Sequence, residues 1–154
     1  MLAARSRLLA RIPFLLLVLY SIPLLYGTLR PFQFTCHPGR DRMSRRHQVE
    51  WIPFTNLCPV HGFLCPNDMG LNIAVFIPVG ILVALLPGNV SSARRRLIRA
   101  VAVGFALSLF IETAQYFIPA RFPSTTDLVW NTSGALFGGL IVVALVRRNP
   151  FDTK

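Results

Sequence analysis

Six polar side chains in otherwise apolar surroundings carry most of the chemical interest of this chain. Gly104, Ser108, Glu112 and Gln115 follow one another at spacings of four, four and three. In a helix those spacings place all four on one face. Asp127, Asn131, Gly134 and Gly138 repeat the pattern at four, three and four. Only Ala120 to Thr126 separates the two runs, so their helices must be antiparallel neighbours. At 1.5 Å per residue, Glu112 then lies about 10 Å below the turn and Asn131 about 6 Å below Asp127. Glu112, Gln115, Arg121, Asp127 and Asn131 can therefore converge at one depth, and Asn72 can join them from a preceding helix.

Ionisable and amide groups are costly in a lipid-spanning segment, so each needs a partner or a task. One reading is structural: Asp127 caps its helix with help from Thr125 or Thr126, Arg121 pairs with Glu112 or Asp127, and Gln115 pairs with Asn131. The other is a polar pocket that binds a ligand. Two acids, one arginine and three amides exceed what a hairpin clasp needs, since membrane helices usually pack through small residues alone. Gly104, Ser108, Gly134 and Gly138 are such packing residues. Gly134-xxx-Gly138 in particular lets another backbone approach closely.

Other chemistry is sparse. His37, His47 and His61 all fall in the 30–69 loop, outside any apolar stretch. Cys36, Cys58 and Cys65 lie there too, and permit a disulfide from Cys36 to Cys58 or Cys65, with one thiol left over. Cys58, His61 and Cys65 also group two thiols with an imidazole, but not at a recognised zinc spacing, so no metal site is assigned. Ser108 and Ser133 stand in no nucleophile motif, and no glycine loop suited to a phosphate is present. No cofactor is expected.

The elements that must position these residues are membrane helices. The chain has 154 residues, 53% hydrophobic and 14% charged. Soluble domains carry roughly 25% charged residues, so lipid is the expected solvent. Four apolar stretches, about 12–29, 70–87, 97–119 and 127–146, approach or reach the ~20 residues that cross a ~30 Å hydrocarbon core. The expected fold is all-α: one domain over 1–154, a polytopic bundle of about four transmembrane helices. Pro13, Pro23 and Pro78 fall inside the first two spans, where neighbouring helices can re-satisfy the freed carbonyls. The first stretch, preceded by Arg5, Arg7 and Arg11, resembles a signal peptide, but it is long for one and no Ala-x-Ala site follows it. It is read as an uncleaved helix.

The net charge of +10 would suggest nucleic acid in a soluble protein. Here the basic residues mark span ends instead, and no nucleic-acid partner is expected. Ten of the 16 Arg and Lys residues fall at the N-terminus, around 94–99 and at the C-terminus, against six in the 30–69 loop and at Arg121. The positive-inside rule then puts both termini in the cytoplasm and the polar convergence at the outer surface.

These same residues carry a resemblance. Trp51-Ile-Pro-Phe-Thr-Asn56, Asn72-Ile-Ala-Val-Phe-Ile-Pro-Val-Gly80, Glu112-Thr-Ala-Gln115-Tyr-Phe117, Arg121 and Asp127-Leu-Val-Trp-Asn131-Thr-Ser-Gly134 with Gly138 occur in an order similar to the VanZ-like family of small bacterial membrane proteins. The likeness covers roughly residues 51–146. It departs at Ser124, where many members carry an acid, and at Val79, often Phe, and the 33–50 insertion has no counterpart in it. The family is named for a protein linked to resistance against the glycopeptide teicoplanin. The resemblance implies a bacterial cytoplasmic-membrane protein with a cell-envelope role and no established reaction.

Three functions compete. A non-enzymatic envelope protein would bind a lipid headgroup, a lipid-linked cell-wall precursor or a glycopeptide, with Arg121 on an anionic group and Asn72, Glu112, Gln115, Asp127 and Asn131 on polar groups. A membrane enzyme acting on a lipid-linked substrate would use Glu112 as general acid or base. A small transporter would need oligomerisation through a face such as Gly134–Gly138, because four helices rarely enclose a pathway and no inverted repeat is evident.

Overall fold

The computed structural model describes residues 2–38, 49–54, 66–87 and 92–148, and the side chains of 11–38, 49–54, 69–87 and 92–147. Cys58, Cys65, His47 and His61 lie outside the described residues. Cys36 is exposed with a free thiol. No group of three or more His, Cys, Asp or Glu side chains among the described residues is arranged to hold a metal ion.

Among the described residues four helices follow in order: α1 (Leu2–Leu29), α2 (Pro66–Leu85), α3 (Ala93–Tyr116) and α4 (Thr125–Arg148). The fold is all-helical, as the composition predicts. Arg11–Leu29, Ala93–Tyr116 and Thr125–Arg147 are each long and apolar enough to cross a membrane, while the apolar part of α2, Met69–Leu85, is shorter. At 1.5 Å per residue its 17 residues reach about 25 Å. The outer faces carry exposed Phe, Leu, Ile and Val throughout, including Leu19 and Ile22 on α1, Phe110 on α3 and Leu145 on α4. Water would not tolerate such a surface; hydrocarbon suits it.

α4 packs most extensively on α2 and next on α3, while α1 lies against α2 and α3. The tightest seam is α2 against α4. A Cβ on Gly80 would run into the carbonyl of Ala135, and a Cβ on Gly138 into that of Ile77. Backbones that close need glycine on both sides, because dispersion contact substitutes for the hydrophobic effect inside lipid. The Gly134–Gly138 face is therefore occupied by α2 of the same chain and is not open for a second copy. Gly104 meets the Ala135 side chain in the same way across the α3–α4 contact.

α1 contributes to the core rather than trailing from it. Leu24 is buried with Phe76, Val79, Val83, Ala100 and Ile111, and Leu17, Tyr20 and Leu25 pack against that cluster. The Tyr20 hydroxyl donates to the Val75 carbonyl at 2.9 Å, in the turn of α2 preceding Pro78. Proline removes one ladder hydrogen bond there, and a neighbouring helix supplies a polar group to the same stretch.

The two ends of the bundle differ. At one, the turn end, α1 and α3 finish, α2 and α4 begin, and the 118–124 connection crosses over. At the other, the basic end, α2 finishes and α3 starts with Arg94, Arg95, Arg96 and Arg99.

Candidate functional site

Ser124 is the N-cap of α4 and the centre of the turn end. Its Oγ accepts from the Thr126 amide at 3.1 Å and, more weakly, from that of Asp127 at 3.4 Å. That satisfies donors which the first turn of a helix leaves without intrahelical partners. Its own amide donates to Glu112 Oε2 at 2.8 Å, so the last turns of α3 are tied to the first of α4. Its hydroxyl donates to Glu50 Oε2.

Glu50 arrives from outside the bundle. The 49–54 segment lies along the connection, with the Glu50 amide donating to the Pro123 carbonyl at 3.2 Å and the Glu50 carbonyl accepting from Thr125 at 3.1 Å. The Thr125 hydroxyl donates to the same carbonyl at 3.0 Å. Phe54 completes the strap: its amide donates to Thr126 Oγ1 at 2.8 Å and its ring meets Trp130 edge-on with centroids 5.7 Å apart. Phe54 holds φ at 65°, a region that bulky side chains rarely occupy. The amide bond and the ring contact hold it there.

Of the six side chains that spacing singles out, all lie in the turn-end half, and their described bonds run to other helices as well as across the hairpin. Asp127 Oδ1 accepts from Asn72 Nδ2 at 2.7 Å, which joins α4 to α2. Gln115 Nε2 donates to the Thr28 carbonyl at 2.9 Å, joining α3 to α1. Arg121 sends Nε to the Arg30 carbonyl and Nη2 to the Gly27 carbonyl, both at 2.8 Å. These carbonyls belong to the final turn of α1 and the residue after it, where a helix has unpaired acceptors and a negative dipole end. Arg121 thus fastens α1 to the α3–α4 connection. One turn deeper, Asn131 Nδ2 donates to Ser108 Oγ at 3.0 Å, while Asn131 Oδ1 is buried with no protein partner.

The result is a layer of three carboxyl-bearing residues around one serine. Glu50 and Glu112 are buried and Asp127 half-buried. Glu50 has no place in the pattern read from α3 and α4. The available signal is local: an acid between Val49 and Trp51-Ile52, where apolar neighbours make a solvated carboxylate unexpected. The carbonyls of Gly27, Thr28 and Arg30 were equally hidden, because backbone acceptors leave no trace in side-chain spacing.

A groove of about 490 Å³ lies elsewhere. Leu97, Ile98, Val101, Ala102 and Phe105 of α3 and Thr132 of α4 line it, and it opens on the lipid-facing side of that helix pair.

A family model described as VanZ/LLP1 matches residues 17–147, which include both the polar layer and the Gly80–Gly138 seam. No curated protein and no solved structure matches the chain.

Proposed function

The chain belongs to the VanZ/LLP1 family, as a match over most of its length shows, and from that premise we propose that it is a non-enzymatic cell-envelope protein that binds a hydrogen-bond-donating group at the turn end of its bundle. The ligand class is a lipid-linked cell-wall component or a glycopeptide, engaged through sugar hydroxyls or amines. The observation that carries this reading is the gathering of Glu50, Glu112 and Asp127 with Asn72 and Asn131, while Arg121 is directed onto the α1 carbonyls. Among the described residues, acceptors outnumber cations in that layer, and donors on the ligand are the complementary chemistry.

The proposed setting is the bacterial cytoplasmic membrane with both termini inside. The ten-to-six distribution of Arg and Lys supports it, and it turns the polar layer outward, where envelope components are found. The 49–54 strap would be the part of the layer nearest the outer surface.

Antibiotic susceptibility tests this reading directly. Cells expressing the wild type should tolerate a glycopeptide better than cells expressing Glu112→Gln, Asp127→Asn or Glu50→Gln at matched protein levels. Equal protection from all four would sink the binding layer. Turnover of an undecaprenyl-linked lipid by purified protein, lost in Glu112→Gln, would instead make it an enzyme.

A further inference from the structure

The basic end presents a second, unrelated arrangement. Arg96 Nη1 donates to the Ala84 carbonyl at 2.8 Å and Arg99 Nη2 to the Leu86 carbonyl at 2.7 Å, so both are directed to the end of α2. Arg94 on α3 and Arg147 on α4 are exposed. Acids whose side chains are described, Glu50, Glu112 and Asp127, all sit at the opposite end.

Helix register puts Arg94 and Arg147 toward the foot of the apolar groove. On α3, residues 94, 98, 101 and 105 follow at spacings of four, three and four, and the last three line the groove. On α4, residues 132, 136, 139, 143 and 147 follow at four, three, four and four, and Thr132 lines it. Each stripe occupies one helix face. A Cβ on Gly139 would meet Ala100 at 3.1 Å and the groove-lining Leu97 at 3.2 Å, so the α4 stripe lies against α3 beside the groove's lower end.

We propose that this groove is a site for one anionic phospholipid, its acyl chain along Ile98, Val101, Ala102 and Phe105 and its phosphate between Arg94 and Arg147. Length distinguishes this occupant from a partner helix. From Arg94 to Phe105 is about 16 Å along α3, close to half of a ~30 Å hydrocarbon core and thus to one leaflet. A transmembrane helix of a second copy would run the full core and would gain nothing from a basic mouth. A phosphate gains from two guanidinium groups, whose planar donors match its oxygens. Zwitterionic lipids fill the same groove but lack the net charge.

Native mass spectrometry of the full chain with equimolar phosphatidylglycerol and phosphatidylcholine of identical acyl chains tests the site. The wild type should retain one phosphatidylglycerol in about thirtyfold preference, the order expected for two basic groups near an anionic headgroup. Arg94→Gln with Arg147→Gln should reduce that preference to about onefold. Ala102→Phe, which fills the groove, should lower retention of both lipids. Arg11→Gln, on α1 away from the groove, should leave the preference unchanged. Equal retention of both lipids by the wild type overturns the proposal without any variant. So does a loss in Arg11→Gln as large as that in the double variant, since it would reduce the effect to general basicity. A dimer that excludes lipid would assign the groove to a second copy instead.

Discussion

Both ends of the bundle use arginine in the same way, and they differ in what surrounds it. At the turn end Arg121 reaches the carbonyls closing α1, and at the basic end Arg96 and Arg99 reach those closing α2. Each thereby satisfies acceptors that a helix terminus leaves open, at the dipole end that favours a cation. The turn end adds three carboxyl-bearing residues, a strap and a buried amide. The basic end adds further arginines and no described acid. A helix end can therefore be closed by either region, but among the described residues only the turn end links every helix. Asn72 joins α2 to α4, Gln115 joins α3 to α1, and Glu112 joins α3 to the start of α4. The turn end is a clasp of buried and half-buried polar bonds; the basic end is a pair of caps.

That asymmetry should appear in stability. Arg121→Ala removes two charge-assisted bonds between α1 and the rest, and should cost about 2 kcal/mol in unfolding from mixed micelles. Arg121→Lys should recover less than half, because one ammonium cannot reach two carbonyls in the fork geometry of a guanidinium. A stability unchanged in Arg121→Ala would mean that α1 is held by its apolar face alone, and the turn end would no longer be a clasp.

Glu112→Ala should follow at about 1.5 kcal/mol, since it leaves the Ser124 amide without its acceptor in a half-buried turn. Glu112→Gln keeps a carbonyl oxygen in the same place and should stay within about 0.5 kcal/mol of wild type. Comparable losses in both would show that charge, rather than the acceptor, holds that turn. Retained stability in Glu112→Gln is also what makes it a fair probe of ligand binding.

Arg96→Ala and Arg99→Ala should each cost about 1 kcal/mol, because the carbonyls they leave can turn to water at the membrane surface. If either exceeds Arg121→Ala under the same conditions, the ranking of the two ends is reversed.

How much of this was legible in the sequence depends on what the information rests on. The helices follow from apolar runs, and spacing alone brings Glu112, Gln115, Asp127 and Asn131 into one half of the bundle. Spacing on a helix fixes which side chains share a face, but not which partner each takes. Arg121 illustrates the limit: acids on α3 and α4 are its evident partners, yet backbone carbonyls at the end of α1 accept both of its described bonds. Glu50 illustrates another. It sits 62 residues before Glu112 in the chain, and only the parallel pairing of its segment with Ser124 brings it into the layer. The Gly134–Gly138 surface was recognisable as a contact from its small residues, whereas its occupant, α2, depended on how the four helices are arranged.

The smallest effect should come from the deepest polar pair, and its asymmetry is informative. Ser108 and Asn131 share one hydrogen bond at 3.0 Å, and such bonds between membrane helices average about 0.6 kcal/mol. Ser108→Ala takes away the partner of Asn131 Nδ2 while Oδ1 is already without one, so a buried amide would be left with neither group bonded to protein. Asn131→Leu removes the amide altogether, and the Ser108 hydroxyl can turn to a carbonyl of its own helix. Ser108→Ala should therefore be the more damaging of the two in the same unfolding assay. The opposite order would mean that Asn131 Oδ1 has a partner in the membrane. Such a partner, a bound water or a ligand donor reaching down from the Glu112 layer, would extend the proposed binding site one helical turn below it.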